Sequence, residues 1–508
     1  MGKKRSKKKE IPFISEPTVI LRNSGTLIRP FIPGNKKDGY SYIETITSYW
    51  DDVTFDRIPV NGFSMEANDD TGEYMFLCDK KQLSALQAIY PTYNIYQDNA
   101  WRFYNMYDPV QMSEEFSPTP IQLDIISRYN QLKNRTSVFI NMPTASGKTL
   151  TGIYLAAQFG KRTLIMCYKK DVLDQWYNSF LKFTDISEDQ MLMINGSAHI
   201  DKLYEEMKDP GYIYEGPSIV FCTTVLFHNL IHRKPDLFTD MIRRFGFGLK
   251  IVDEAHKHPA TITKMNALTN IPRSIYMSAE FRRANRQMDK FLFSTFFNTN
   301  VLKPEDKFID DFKYTVGVVV EYNSFPSDVE HDGCFGRRGF AEFPYMRYQY
   351  EKGTILNVLD ELMVTITKIP GKIIIFTNLI EHVDLLFSHF VPLYGQSRKI
   401  ARLYGDVDDV ERSIVTNDAD LIISTYKSLD TGTDIRNIKH IVSTVPVDII
   451  TDNQAAGRSR PLDDGSNAFY YILSDVGFKY VKKKTKTRLQ SLQERKLVDL
   501  FQIRLSGE

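Results

Sequence analysis

The stretch best equipped for chemistry is Met142-Pro143-Thr144-Ala145-Ser146-Gly147-Lys148-Thr149, set between an apolar run and a helix-compatible run that begins at Leu150. Small residues there let successive backbone N–H groups wrap an anion at a helix N-terminus, where the helix dipole already favours negative charge. In such a loop Lys148 would reach the β- and γ-phosphates of a nucleotide, and the Thr149 hydroxyl would ligate Mg²⁺. Pro143, Thr144, Ala145, Ser146 and Gly147 complete the candidate phosphate cradle, although Met142 stands where the general loop pattern has its first glycine. Further along, Ile251-Val252-Asp253-Glu254-Ala255-His256 closes another apolar run. Two adjacent carboxylates at the end of a buried strand are costly unless a cation lies between them, so the pair asks for a metal. Asp253 is placed to hold the Mg²⁺ water shell and Glu254 to polarise an attacking water. The competing reading is an ordinary acidic turn, and the phosphate loop weighs against it. His256 and His258 sit two apart without a third ligand, so no zinc site is expected.

Residues of this kind work only if strand ends hold them, and the sequence shows two series of suitable strands. Short apolar runs followed by turns and helix-like stretches read as parallel α/β structure. The first series is 137–141, 163–167, 218–222, 249–252 and 274–277; the second is 372–376, 420–424, 440–443 and 468–472. Between about 281 and 353 the alternation lapses into a segment rich in Phe, Tyr and Arg. The first 110 or so residues, with strand-like runs such as Thr26-Leu27-Ile28 and Tyr74-Met75-Phe76-Leu77, read as a small accessory α+β domain. The expected organisation is a basic tail over 1–10, the accessory domain over 11–112, a first lobe over 113–300, an interlobe segment over 301–355, a second lobe over 356–478 and a basic C-terminal helix over 479–508. Leu489, Leu492, Leu497 and Leu500 recur at near-helical spacing and extend that helix in the expectation.

A chain of 508 residues has room for roughly three domains. With 42% hydrophobic and 25% charged residues it is neither membrane-like nor broadly disordered, and no apolar run approaches the ~20 residues of a spanning helix. No membrane partner is expected. Four separated cysteines form no CxxC pair and fit a reducing cytoplasm, with a nuclear address left open by the lysine-rich N-terminus. The net charge of +1 gives no global sign of a polyanionic partner, but each terminus carries six basic residues, Lys479, Lys482, Lys483, Lys484, Lys486 and Arg488 at the C-terminal end.

Taken in order, the motifs resemble those of a superfamily 2 helicase or translocase of the DEAH-box type, over about Phe116 to Asp475, and their texture is similar to phage and viral members that remodel branched DNA or release transcripts. Thr119-Pro120-Ile121-Gln122 is similar to the adenine-reading Q motif, which implies base recognition by Gln122. Thr163-Leu164-Ile165 with Asp174-Gln175-Trp176 resembles motif Ia, and Cys222-Thr223-Thr224 resembles motif Ib; Trp176 itself reads as helix packing. Ile375-Phe376-Thr377 resembles motif IV, Thr425 through Leu429 with Gly432, Asp434 and Ile435 resembles motif V, and Gln454-Ala455-Ala456-Gly457-Arg458-Ser459-Arg460 resembles motif VI. The resemblance implies two RecA-like parallel-sheet lobes and ATP with Mg²⁺ as cofactors. It assigns Gly432, Asp434 and Gln454 to the nucleotide, Arg458 and Arg460 to its γ-phosphate, and Thr223, Thr377 and Thr425 to a nucleic-acid backbone.

Three departures stand out. Ala145 replaces the usual glycine of the loop, which requires negative φ there. The coupling motif Ser-Ala-Thr reads Ser278-Ala279-Glu280, with Glu280 expected to pair with Arg282 or Arg283. Pro461 occupies the place of the second motif VI arginine and Arg460 sits one residue early, so Arg458 is the essential candidate. Arg337, Arg338 and the lysines 482 to 484 are the added candidates for nucleic-acid contact, interleaved with aromatics at Phe340, Tyr345, Tyr348 and Tyr350 that read equally as a local core. The expectation is a monomeric, ATP-hydrolysing motor on forked, branched or single-stranded DNA, with an RNA-directed or transcript-releasing ATPase and a non-hydrolysing nucleotide switch as alternatives.

Overall fold

A computed structural model describes the backbone of seven strands between Thr18 and Gln97 and most of the chain from 101 to 505. Within 101–505 the residues outside the description are 115, 134, 136, 144–145, 208–215, 259–260, 263–264, 267–268, 270, 280–299, 311–312, 337–338, 405–417, 429–434, 436, 460–461, 463 and 496. The basic tail read over 1–10 lies outside it too. Five of the early strands form one sheet, and the runs read at Thr26 and Tyr74 fall in its strands Thr26–Arg29 and Glu73–Leu77.

The chain divides into two compact units, Met1–Met142 with Gly147–Pro304 and Glu305–Glu508 with Pro143–Ser146, so the main break falls between Pro304 and Glu305. The first holds seven parallel strands: β1 (Ser137–Asn141), β2 (Thr163–Cys167), β3 (Met191–Met193), β4 (Ile219–Thr223), β5 (Leu249–Val252), β6 (Arg273–Ser278) and β7 (Val301–Leu302), in the order β3-β4-β2-β5-β6-β1-β7. β2 and β5 are buried along their whole length, as strands covered on both faces must be, which is why they read as unbroken apolar runs. Helices α1 (Pro120–Gln131), α2 (Lys148–Phe159), α3 (Lys170–Phe183) and α4 (Thr224–Arg233) belong to this unit. Proline at its first position starts α1, and Gly147 in the left-handed conformation starts α2. Parallel pairing aligns the strand ends: Asn141 opposes Ser278, and Val252 opposes both Met166 and Tyr276. Everything that follows a strand end therefore collects along one edge of the sheet, the place where open α/β sheets bind ligands.

The second unit repeats the plan with β8 (Thr315–Tyr322), β9 (Lys372–Thr377), β10 (Ile400–Leu403), β11 (Leu421–Thr425), β12 (Ile438–Ser443), β13 (Ala468–Asp475) and β14 (Leu497–Arg504), all parallel, in the order β10-β11-β9-β12-β13-β8-β14. Helices α5 (Glu342–Glu351), α6 (Ile449–Ala456) and α7 (Lys479–Arg495) carry the residues discussed below. These are two RecA-like parallel-sheet lobes, and among the described residues no helix is long and apolar enough to cross a membrane.

Two expectations are corrected here. The residues read as an interlobe segment supply β8, a strand inside the second sheet. The leucine spacing does not continue one helix: α7 ends at Arg495, and Leu497 and Leu500 lie on β14. Pairing with the open edge of β8 outweighs the helical spacing of four leucines, since strand formation follows tertiary context. Gly317 on β8 makes room for them, because a Cβ there would fall 2.6 Å from Leu497 Cδ1.

Candidate active site

The phosphate loop leaves the end of β1 and enters α2. Gly147 has φ +82°, a conformation that disfavours any side chain, and a Cβ on it would fall 2.1 Å from Gln122 Nε2. Ser146 closes the loop on itself, its hydroxyl donating to Pro143 O at 2.7 Å, and Thr151 Oγ1 donates to Gly147 O at 3.2 Å. Thr144 and Ala145 lie outside the described residues, so the backbone requirement at Ala145 stays an expectation. Gln122 is buried, and both ends of its amide are engaged: Nε2 donates to Gly147 O at 3.1 Å and Oε1 accepts from Thr119 N at 2.8 Å. It is a strut between the start of α1 and the phosphate loop, so reading a base would use only its remaining hydrogen-bonding capacity.

Asp253 follows β5, and its main-chain N–H donates to Met166 O at 2.8 Å. It is 6% exposed, with Oδ2 accepting from the Trp176 indole Nε1 at 2.9 Å and Oδ1 accepting from Glu254 N at 2.8 Å. Burial, and then the Glu254 charge, push its carboxyl up to about 6, against the pull of the Lys148 ammonium and the two hydrogen bonds. A carboxylate held at such a cost against its own desolvation suits a site that takes a cation. The donor set of Asp253, Glu254 and the Thr149 hydroxyl, beside a buried Lys148, fits Mg²⁺ carried with phosphates, the hard oxygen chemistry such a cation selects.

Glu254 has φ +47°, a strained backbone for a residue with a side chain. Its Oε2 lies 3.2 Å from His256 Nδ1, and that nitrogen is also 2.7 Å from Ser278 Oγ at the end of β6. His256 thus joins the carboxylate pair to the first residue of the coupling motif. Glu280 and its expected arginine partners lie outside the described residues, while Ala279 is half-buried.

Trp176 is the residue whose part the sequence understates. It is fully buried, which agrees with packing, but its indole N–H is spent on Asp253. Gly152 on α2 makes room for it: a Cβ there would fall 2.5 Å from the Trp176 ring. A tryptophan following Asp-Gln and a glycine one turn into the helix were the available signals.

The candidates for nucleic-acid contact fare unevenly. Thr223 is the N-cap of α4, its hydroxyl accepting from Leu226 N at 3.2 Å. Thr377 is fully buried and its hydroxyl accepts from Tyr350 OH at 3.4 Å, so its side chain is not presented to a strand as expected. Thr425, at the end of β11, is buried and bonds Ser428 Oγ at 2.7 Å. Tyr345 and Tyr350 are core residues, and Arg347 pairs with Glu381 at 3.2 Å. Lys484 is half-buried and engaged within the lobe: it pairs with Glu342 on α5 and donates to Pro446 O at 3.2 Å. Lys482 and Lys483 are exposed. Arg458 and Gln454 are half-buried; Gly432, Asp434, Arg460, Arg337 and Arg338 lie outside the described residues.

Residues 115–283 match the family model described as "Type III restriction enzyme, res subunit". Over 111 residues the chain is 32% identical to the TFIIH basal transcription factor complex helicase/translocase XPB subunit of Trypanosoma brucei brucei, a match that covers 22% of this chain and 11% of that protein. Over 393 residues it is 20% identical to transcript termination protein A18 of cowpox virus, covering 72% of each. Among solved structures, T4 UvsW aligns over 96% of this chain and 99% of its own at 16% identity, with a TM-score of 0.33.

Proposed function

We propose that this chain is a superfamily 2 helicase or translocase and that it couples ATP hydrolysis to the unwinding or remodelling of forked or branched DNA. The observation that carries the hydrolytic part is the buried Asp253 with the half-buried Glu254 beside it at the end of β5, acted on by Lys148 from the phosphate loop. Lys148 would hold the β- and γ-phosphates, and Glu254, aligned by His256, would orient the attacking water. Mg²⁺ bound by Thr149 and Asp253 would neutralise the developing phosphate charge. Gln122 and the loop 143–149 would bind ATP, and Arg458 would supply the transition-state charge that such arginines contribute.

DNA with forks or branches is the favoured substrate by resemblance to phage remodelling helicases. Transcript release is the second reading, and the similarity to the viral termination protein over 72% of this chain favours it. Phosphate release from ATP, measured with single-stranded, forked and duplex DNA and with RNA, tests both. Stimulation by forked DNA above the other polymers is the expected result, and preferential stimulation by RNA transfers the proposal to the second reading. Lys148→Ala and Glu254→Gln should each lower the stimulated rate by at least about a hundredfold, roughly 3 kcal/mol of transition-state stabilisation. A chain that binds ATP and nucleic acid without hydrolysis would overturn the motor and leave a nucleotide switch.

A further inference from the structure

Helix α7 has two faces of opposite character. Lys479, Lys482, Lys483 and Lys486 are exposed at spacings of three, four and seven residues, so they form one stripe, and the helix has no acidic residue before Glu494. The opposite stripe, Val481, Thr485, Arg488 and Leu492, is buried.

Arg488 is the centre of that buried face. Its guanidinium is 1% exposed and donates to Asp452 Oδ1 at 2.5 Å, to Ser443 Oγ at 2.7 Å and to Val445 O at 3.3 Å. Asp452 also accepts from Tyr470 OH at 2.5 Å, and Ser443 Oγ lies 2.5 Å from the hydroxyl of Tyr426, the residue after Thr425. Asp452 sits on α6, where the next residue, Asn453, bonds Ser491 of α7 through its side chain at 3.0 Å and Gly457 N through its carbonyl at 2.8 Å. Arg458 follows directly. A buried ion pair is not needed to hold a helix down, since apolar residues of similar volume do that as well or better. What it fixes is register: a rotation or slide of α7 must move α6 and the end of β12 or break these bonds.

We propose that the lysine stripe of α7 takes the phosphate backbone of a bound strand, and that Arg488 and Ser491 transmit its occupancy to Arg458 and so set the rate of hydrolysis. This rests on the reading above that Arg458 serves hydrolysis. The occupant is committed by charge: four lysines in one uninterrupted stripe match a polyanion that runs along the helix. Arg488 and Ser491 touch no substrate; they are positioning residues.

The test uses the full chain. Lys482→Ala/Lys483→Ala/Lys486→Ala should flatten the log–log salt dependence of single-stranded DNA binding by about 2, the counterion release lost with three phosphate contacts. A slope equal to that of the wild-type chain overturns the contact. Ser491→Ala removes one hydroxyl and should keep DNA affinity within about twofold while lowering the fold-stimulation of ATPase severalfold, and Arg488→Lys should act in the same direction more strongly. Unchanged stimulation in both variants overturns the transmission, and so does a parallel loss of affinity and stimulation. A wild-type chain that shows the steep salt slope but hydrolyses no ATP sinks the hydrolytic reading, while the slope still judges the surface.

Discussion

Lys250, the second residue of β5, is fully buried, and burial alone pulls its ammonium down to about 7 from the ordinary 10.5. Its Nζ bonds Asn266 Oδ1 and lies 6.0 Å from the centre of the Tyr276 ring, whose hydroxyl accepts from Asn266 Nδ2 at 2.7 Å. A folded-state value below the unfolded one means that the unfolded chain binds a proton as pH falls through about 10, while the folded chain does so only near 7. First-lobe stability should therefore decline by about 1.4 kcal/mol per pH unit as pH falls from about 10.5 to 7, roughly 5 kcal/mol in all, and then level off. Lys250→Met keeps the volume and removes the titration, at a cost of about 1–3 kcal/mol for the Asn266 carbonyl left without its donor. The variant should be more stable than the wild type by about 2 kcal/mol at pH 7 and less stable at pH 10. Urea denaturation from pH 6.5 to 10, followed by fluorescence of Trp101 and Trp176, both buried in the first lobe, measures this. Curves for the two proteins that stay parallel across that range would refute the argument.

Trp176→Phe keeps the ring packing and deletes the N–H to Asp253, a hydrogen bond to a charged group worth about 1.5–3 kcal/mol. The first lobe should lose about 2 kcal/mol in urea denaturation, and the Mg²⁺ concentration for half-maximal ATPase should rise about tenfold; an unchanged Mg²⁺ dependence would return Trp176 to a packing role alone. Gly147→Ala combines left-handed strain of about 1–2 kcal/mol with a Cβ driven into Gln122, so affinity for a fluorescent ATP analogue should fall by at least about tenfold. Gly160→Ala, with φ +56° and open space around it, is the control: it carries the strain without the collision and should leave that affinity alone.

The parts of this protein legible in its sequence are those where chemistry and fold are local. The phosphate loop and Asp253-Glu254 each lie within a few residues, and buried parallel strands announce themselves as apolar runs with their ends in view. β8 is harder to read although Thr315–Tyr322 is a strong strand pattern, because it follows the break between the lobes and stands outside the regular alternation of strand and helix. Trp176 and Asp253 are 77 positions apart, and no local pattern states that an indole will meet a carboxylate. Arg488 is harder still. Within a run of lysines it reads as one more solvated charge, and only the register of α7 turns it inward to Asp452, while Lys484 in the same run is drawn to Glu342.

Three separate costs converge on β5 and the turn that follows it. Lys250 is buried with its charge form disfavoured, Asp253 is held above the ordinary carboxylate range by burial and by its neighbour, and Glu254 adopts φ +47°. Each lowers the stability of the ligand-free lobe. A cation carried in with phosphates would reverse the Asp253 cost directly, since it favours the ionised form that burial opposes. The same logic accounts for the indole and the Glu254 N–H, which keep Asp253 oriented without neutralising it. Nucleotide with Mg²⁺ should thus stabilise the first lobe by more than its binding to a relaxed site would, because part of the strain is stored in advance at the residues that receive it.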